Sequence, residues 1–123
     1  MLSDLSTANK KFQKELKAGT VALVLLGILD RAVEPMYGYQ ITKHIELAME
    51  NVPEIKQGAL YPVLRSLERS GILESQVEPS VSGPPRRYYR ITEAGRETLA
   101  EWKVTWGYTK NFVDAILKGQ DDV

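Results

Sequence analysis

Gly83-Pro84-Pro85-Arg86-Arg87-Tyr88-Tyr89-Arg90-Ile91-Thr92-Glu93-Ala94-Gly95-Arg96 is the stretch on which the fold turns. Tyr88, Tyr89 and Ile91 favour the extended state, because aromatic and β-branched side chains pack well on a pleated surface. Alternation puts Arg86, Tyr88 and Arg90 on one face and Arg87, Tyr89 and Ile91 on the other. Thr92 can then cap a helix, with Glu93 favourably placed at its positive end. Upstream, residues 72–78 (Ile-Leu-Glu-Ser-Gln-Val-Glu) read as the partner strand, and residues 79–85 as a long tip rich in proline and serine. The segment is therefore a β-hairpin that feeds a helix.

Three helices are expected before it. The third opens near Gln57-Gly58 and runs to Ser70, with Leu60, Leu64 and Leu67 recurring at four and three residues as one buried stripe. Gly71 follows, where a left-handed cap is usually needed. The second carries Ile41, Ile45, Ala48 and Met49 on one face and is stopped by Asn51-Val52-Pro53. Glu34-Pro35-Met36-Tyr37-Gly38 reads as a break between the second helix and the first. The first begins at Lys10, after a loose polar arm over residues 1–9, and includes Phe12, Leu16 and an apolar stretch from Thr20 to Leu29. That stretch is apolar on every side and is expected at the centre of the structure.

Downstream, Leu99, Trp102, Trp106, Val113, Ile116 and Leu117 keep helical spacing over residues 93–118, ahead of a tail at 119–123. Gly107 costs about 1 kcal/mol there relative to alanine, so a bend is allowed. The order helix, helix, helix, strand, strand, helix makes a mainly α, α+β chain. It is the order of a winged helix-turn-helix with a two-stranded wing.

Bulk properties narrow the function classes. The chain's 123 residues favour one domain, whose thin core would gain from an interface shared with a second copy. Cysteine is absent, which removes disulfides, thiolate nucleophiles and cysteine-ligated zinc. The apolar run Val21–Leu29 is far short of the roughly 20 residues needed to cross a bilayer, and the first twenty positions are too polar for a signal peptide. A cytoplasmic protein without a membrane partner is expected. His44 is the only histidine and reads as part of a solvated helix face beside Lys43 and Glu46. With no glycine-rich phosphate loop, paired histidines or calcium loop, no catalytic residue, metal ligand or cofactor is expected.

Sixteen basic and sixteen acidic residues give zero net charge, which taken globally weighs against a nucleic-acid partner. Local distribution matters more. Glu93, Glu97, Glu101, Asp114, Asp121 and Asp122 gather in the C-terminal quarter, leaving two positive clusters elsewhere. On the third helix, Ala59, Tyr61, Pro62, Arg65, Ser66 and Arg69 fall on or beside the face opposite the leucines. Lys56, Gln57 and Gly58 precede or open it, where free amides can meet a phosphate. Gln57 is suited to a base edge, Tyr61 to a base or phosphate, and Arg65 to either. The second cluster, Arg86-Arg87 with Arg90, fits a wing lying along a phosphate backbone. Each has an ordinary alternative: a solvated helix face, pairing with Glu74 and Glu78, or cross-strand packing by Tyr88 and Tyr89.

Residues 37–41 (Tyr-Gly-Tyr-Gln-Ile), 58–68 (Gly-Ala-Leu-Tyr-Pro-Val-Leu-Arg-Ser-Leu-Glu), 71–73 (Gly-Ile-Leu) and 83–96 together resemble the PadR family of transcriptional regulators, in the same order over about residues 19 to 106. The resemblance implies a winged-helix homodimer, usually a repressor, that recognises double-stranded DNA at an inverted-repeat operator through the third helix. It assigns residues 10–92 to the DNA-binding unit and 93–118 to a dimerisation helix, as in the smaller members with a single C-terminal helix. The expected DNA-contacting set is Tyr37, Lys56, Gln57, Ala59, Tyr61, Pro62, Arg65, Arg69, Arg86 and Arg87. Ala59 departs from the threonine or serine of many members and removes a hydroxyl–phosphate contact there. Trp102 and Trp106, one turn apart, are read either as dimer-core packing or as an effector site for a small flat aromatic molecule, with Trp106 nearest the family's stacking position. The rival to a DNA-binding regulator is a winged-helix module that binds protein instead.

Overall fold

The computed structural model describes residues 6–48 and 57–119. Its elements are α1 (Thr7–Arg31), β1 (Met36–Tyr37), α2 (Gly38–Ala48), α3 (Gln57–Arg69), β2 (Leu73–Glu78), β3 (Arg86–Ile91) and α4 (Glu93–Lys118). Helix α1 starts earlier than its apolar periodicity suggests. Ser6 is an N-cap whose Oγ accepts from the Asn9 amide at 3.0 Å, so Thr7–Asn9 are helical and do not belong to a loose arm. Met49, Asn51-Val52-Pro53 and Lys56 lie outside the described residues.

One core draws on every helix and on both strands of the hairpin. Leu25, Leu26 and Leu29 of α1 meet Ile41 and Ile45 of α2, the α3 stripe Leu60, Leu64 and Leu67, then Leu73, Tyr89, Ile91 and Leu99. Helix α1 is buried on one side only. Leu23, Val24 and Ile28 pack against the core yet stay partly exposed, which corrects the expectation that the whole stretch lies at the centre. Among the described residues no element covers that flank fully.

The sheet has three antiparallel strands in the order β1-β3-β2. The break expected over residues 34–38 contains strand β1, with Met36 opposite Tyr89 and Tyr37 opposite Tyr88. Two residues between Pro35 and Gly38 are too few for alternation to register, and pairing comes from the free edge of β3. In the hairpin, Leu73 faces Ile91, Ser75 faces Tyr89 and Val77 faces Arg87, so these six share the inner face of the sheet. At the tip, the Ser80 hydroxyl lies within 2.9–3.1 Å of the Ser82, Gly83 and Pro84 carbonyls, and Gly83 supplies a φ of 99°.

The joint between α3, the hairpin and α4 is tightly bonded. Gly71, at φ 78°, donates to the Glu68 carbonyl at 3.0 Å, and the Ile72 amide donates to Leu67 at 3.0 Å. Thr92 returns from the other end of the hairpin: its amide donates to the Ile72 carbonyl at 3.1 Å, while its Oγ1 sits 2.7 Å from the Gly71 carbonyl and accepts from the Gly95 amide at 3.0 Å. Gly95 lies so close beneath that a Cβ there would stand 2.2 Å from the Ile72 carbonyl oxygen and 2.7 Å from Ile91 Cγ1. Helix α4 then runs without interruption through Gly107 to Gly119, whose left-handed backbone donates to the Ala115 and Ile116 carbonyls. Among the described residues no helix is long and apolar enough to cross a membrane.

Gly95→Ala is expected to cost about 3 kcal/mol or more, because the obstacle is backbone and α4 must move off the hairpin. Gly19→Ala, in a helix interior with nothing within 4 Å, is expected to gain about 0.5–1 kcal/mol. Urea unfolding followed by circular dichroism measures both; equal effects would remove the packing explanation.

Candidate nucleic-acid interface

The leucine stripe of α3 dictates what its other face presents. With Leu60, Leu64 and Leu67 buried, Ala59, Tyr61, Pro62, Arg65, Ser66 and Arg69 are all exposed. Gly58, Tyr61, Pro62, Arg65 and Arg69 line a shallow concavity along this face. Pro62 helps to shape it, since a proline inside a helix has no amide to give the carbonyl one turn back. Gln57 is the first residue of α3, so it stands at the end with free amides.

The hairpin divides its three arginines between different environments. Arg90 is directly opposite Glu74 and forms a salt bridge with it through both Nε and Nη2. The ordinary reading therefore holds for Arg90, which is neutralised within the sheet. Arg86 places its guanidinium 4.5 Å from the centre of the Tyr37 ring. That ring meets Tyr88 edge-on at 5.3 Å and stacks on Tyr39 at 6.4 Å, and Lys43 lies 6.0 Å from the Tyr39 ring. Aromatic faces attract a cation without cancelling its charge, so Arg86 is steadied and stays positive.

Arg87 is held differently. Its Nη1 donates to the Ser75 hydroxyl at 2.9 Å, and that hydroxyl donates to Glu68 Oε2 at 2.7 Å. Glu68 belongs to α3, so α3 and the hairpin are tied through one serine. Among the described residues Arg65, Arg69, Arg86 and Arg87 make no salt bridge, whereas Arg90 and Arg96 do. Beneath this network lies Tyr89, fully buried, with a hydroxyl that has no hydrogen-bond partner among the described residues. Burial pushes its pKa up from the usual phenol value, Glu68 adds to the rise, and Arg87 and Arg65 oppose it.

A helix with an exposed basic face beside a three-stranded sheet with a projecting hairpin is a winged helix, and comparison with known proteins gives it a family. The model of the transcriptional regulator PadR-like family matches residues 25–101. This chain belongs to the PadR-like family of transcriptional regulators. It is 40% identical over 81 residues to a transcriptional regulator of Mycobacterium tuberculosis, covering 65% of this chain and 72% of that one. The crystal structure of a PadR family transcriptional regulator from Eggerthella lenta is similar at a TM-score of 0.75 and 34% identity, covering 89% of this chain and 92% of the other. A transcriptional regulator from Clostridium thermocellum is similar at a TM-score of 0.73 and 28% identity, over 81% and 95% of the two chains.

Within this PadR-like chain, Tyr61, Pro62, Arg65 and Arg69 come together on α3, while Tyr37 joins Arg86 on the far face of the hairpin. Arg87 stands on the α3 side through Ser75. Trp102 packs partly against the core, and Trp106 is 42% exposed. The sequence reading missed Ser75, Glu68 and the Tyr39–Lys43 extension of the aromatic row. The register of β2 against β3 carries the signal for the first, because it makes Ser75 and Arg87 diagonal neighbours on one face.

Tyr89→Phe is expected to be neutral or to stabilise by about 1 kcal/mol, since it deletes a buried hydroxyl without a partner. Above pH 10 the unfolded chain loses the Tyr89 proton before the folded one does, so Tyr89 makes stability fall as pH rises. Unfolding curves between pH 8 and pH 11 should show a smaller alkaline loss for the phenylalanine variant; identical losses would contradict the assignment.

Proposed function

We propose that this chain is a sequence-specific DNA-binding transcriptional regulator that acts as a cytoplasmic homodimer at an inverted-repeat operator. Residues 10–92 form the reading unit. Helix α3 enters the major groove, with Tyr61 and Arg65 facing base edges and Ala59, Pro62 and Arg69 beside them, and Lys56 and Gln57 are proposed as further DNA contacts. The hairpin lies along the flanking phosphates through Arg86 and Arg87, with Tyr37 backing Arg86. The observation that carries the reading is the set of exposed arginines on α3 and β3 that, among the described residues, make no salt bridge, in a chain of zero net charge. A surface built only for solubility has no reason to spare these from the pairing given to Arg90.

Helix α4 serves as the dimerisation element over residues 93–118. Trp106, Tyr108, Phe112, Val113, Ile116 and Leu117 are all exposed in the single chain, as are Phe12 and Leu16 of α1. An apolar stripe of that size is ordinarily covered, and a two-fold partner covers it with an identical stripe. The same axis would set two copies of α3 about 34 Å apart, the spacing of successive major grooves. In this reading the regulator represses until a small, flat aromatic effector stacks against Trp102 and Trp106 at the subunit seam.

Titration of a fluorescent duplex from upstream of the protein's own gene, beside a scrambled duplex at two salt concentrations, tests the reading. Tighter binding to the native sequence, with two chains per duplex and a steep loss with salt, is expected. Arg65→Ala and Arg86→Ala should each weaken binding, by about 1–3 kcal/mol for a base contact and with a salt slope reduced by about one for a phosphate contact. Failure of the unsubstituted protein to bind either duplex would favour a protein-interaction module. For the effector, a panel of planar aromatic compounds should include one that quenches tryptophan fluorescence and releases the DNA; an unresponsive panel would remove that part of the proposal.

A further inference from the structure

Arg90 and Arg87 lie three residues apart on one strand and meet opposite treatments. The carboxylate facing Arg90 closes directly on it. The carboxylate nearest Arg87 in its hydrogen-bond network, Glu68, is reached only through the Ser75 hydroxyl, which donates one bond at 2.7 Å and accepts another at 2.9 Å. A hydroxyl can do both at once, because it has one proton to give and lone pairs to receive. We propose that Ser75 is a positioning residue for DNA recognition: it orients Arg87 toward the duplex while holding Glu68 away from it, and so transmits the setting of the recognition helix to the wing.

Three features support the assignment. Ser75 is partly buried on the inner face of the sheet, diagonal to Arg87, and its own backbone is fixed opposite Tyr89 in the ladder. Glu68 is also partly buried and sits in the last turn of α3, next to the bonded turn at Gly71. Arg87 itself is exposed, and donating one hydrogen bond from Nη1 leaves four of its five donors for another acceptor. Direct pairing with Glu68 would neutralise the guanidinium before a phosphate reached it, as Glu74 neutralises Arg90. The serine is therefore a spacer between opposite charges as well as a tether.

This inference rests on the DNA-binding reading above, and the test separates the two. Affinity for the upstream duplex would be measured at two salt concentrations for the unsubstituted full chain, Arg87→Ala, Ser75→Ala, the double variant and Ser75→Thr. Arg87→Ala should weaken binding about tenfold, and Ser75→Ala about three- to tenfold with a shallower salt slope. The double variant should bind no more weakly than Arg87→Ala alone, and Ser75→Thr, which keeps the hydroxyl, should recover most of the affinity. Thermal unfolding of each variant monitors the fold, and a stability loss alone would not produce this non-additive pattern. Multiplying effects, or full affinity in Ser75→Ala beside a weakened Arg87→Ala, would overturn the role of Ser75 and leave DNA binding standing. Full affinity in Arg87→Ala would overturn it equally. No binding by the unsubstituted protein would end both readings together.

Discussion

The Thr92 hydroxyl and amide hold together the four segment ends on which the winged helix depends. The chain leaves α3 at Gly71, makes its excursion through the hairpin, and returns at Thr92 to within hydrogen-bonding distance of where it left. The same side chain then starts α4 by accepting from Gly95. This closure is short-range in space but spans about twenty residues of sequence, so it fixes the base of the hairpin against the end of α3. Gly95 makes the closure sterically possible, because the Ile72 carbonyl occupies the volume of its missing side chain. The angle between α3 and α4 is thereby set at one compact point.

Electrostatic sorting is layered on that frame by strand register. Zero net charge is reached with sixteen basic and sixteen acidic residues, and the three arginines of the hairpin meet three different kinds of partner. Arg90 faces Glu74 and closes; Arg86 finds an aromatic ring; Arg87 finds a hydroxyl. Exposed ion pairs contribute little to stability, so the pairing of Arg90 matters chiefly for which positive charges it leaves over. Among the described residues the charge left over is divided between α3 with Arg87 beside it and Arg86 on the far face of the hairpin.

Much of this was legible in the residues, and the exceptions have physical causes. Leu60, Leu64 and Leu67 announced α3 and its exposed face, and Thr92 announced the start of α4, because both signals are local and periodic. Strand β1 was not legible: two residues cannot display a period, and their conformation is imposed by β3 from more than fifty positions away. The N-terminal boundary of α1 was misplaced because Ser6 caps a polar first turn that has no apolar rhythm. Total burial of Thr20–Leu29 was overread, since composition reports what a helix could bury and not what the rest of the chain supplies to cover it. At the site, clusters of arginine were visible, whereas their fates depended on register. Ser75 looked like any polar strand residue until its diagonal neighbour was known.

The tip of the hairpin is held from within. One serine hydroxyl faces three successive carbonyls, and two consecutive prolines fix their own φ angles immediately before Arg86. A segment of this length with only glycine and serine would sample many shapes and would have to surrender that freedom on contact with another molecule. Here the surrender has largely happened during folding. Under the DNA-binding reading proposed above, a tip pre-shaped in this way would lose less of its contact energy to ordering and keep more of it as affinity.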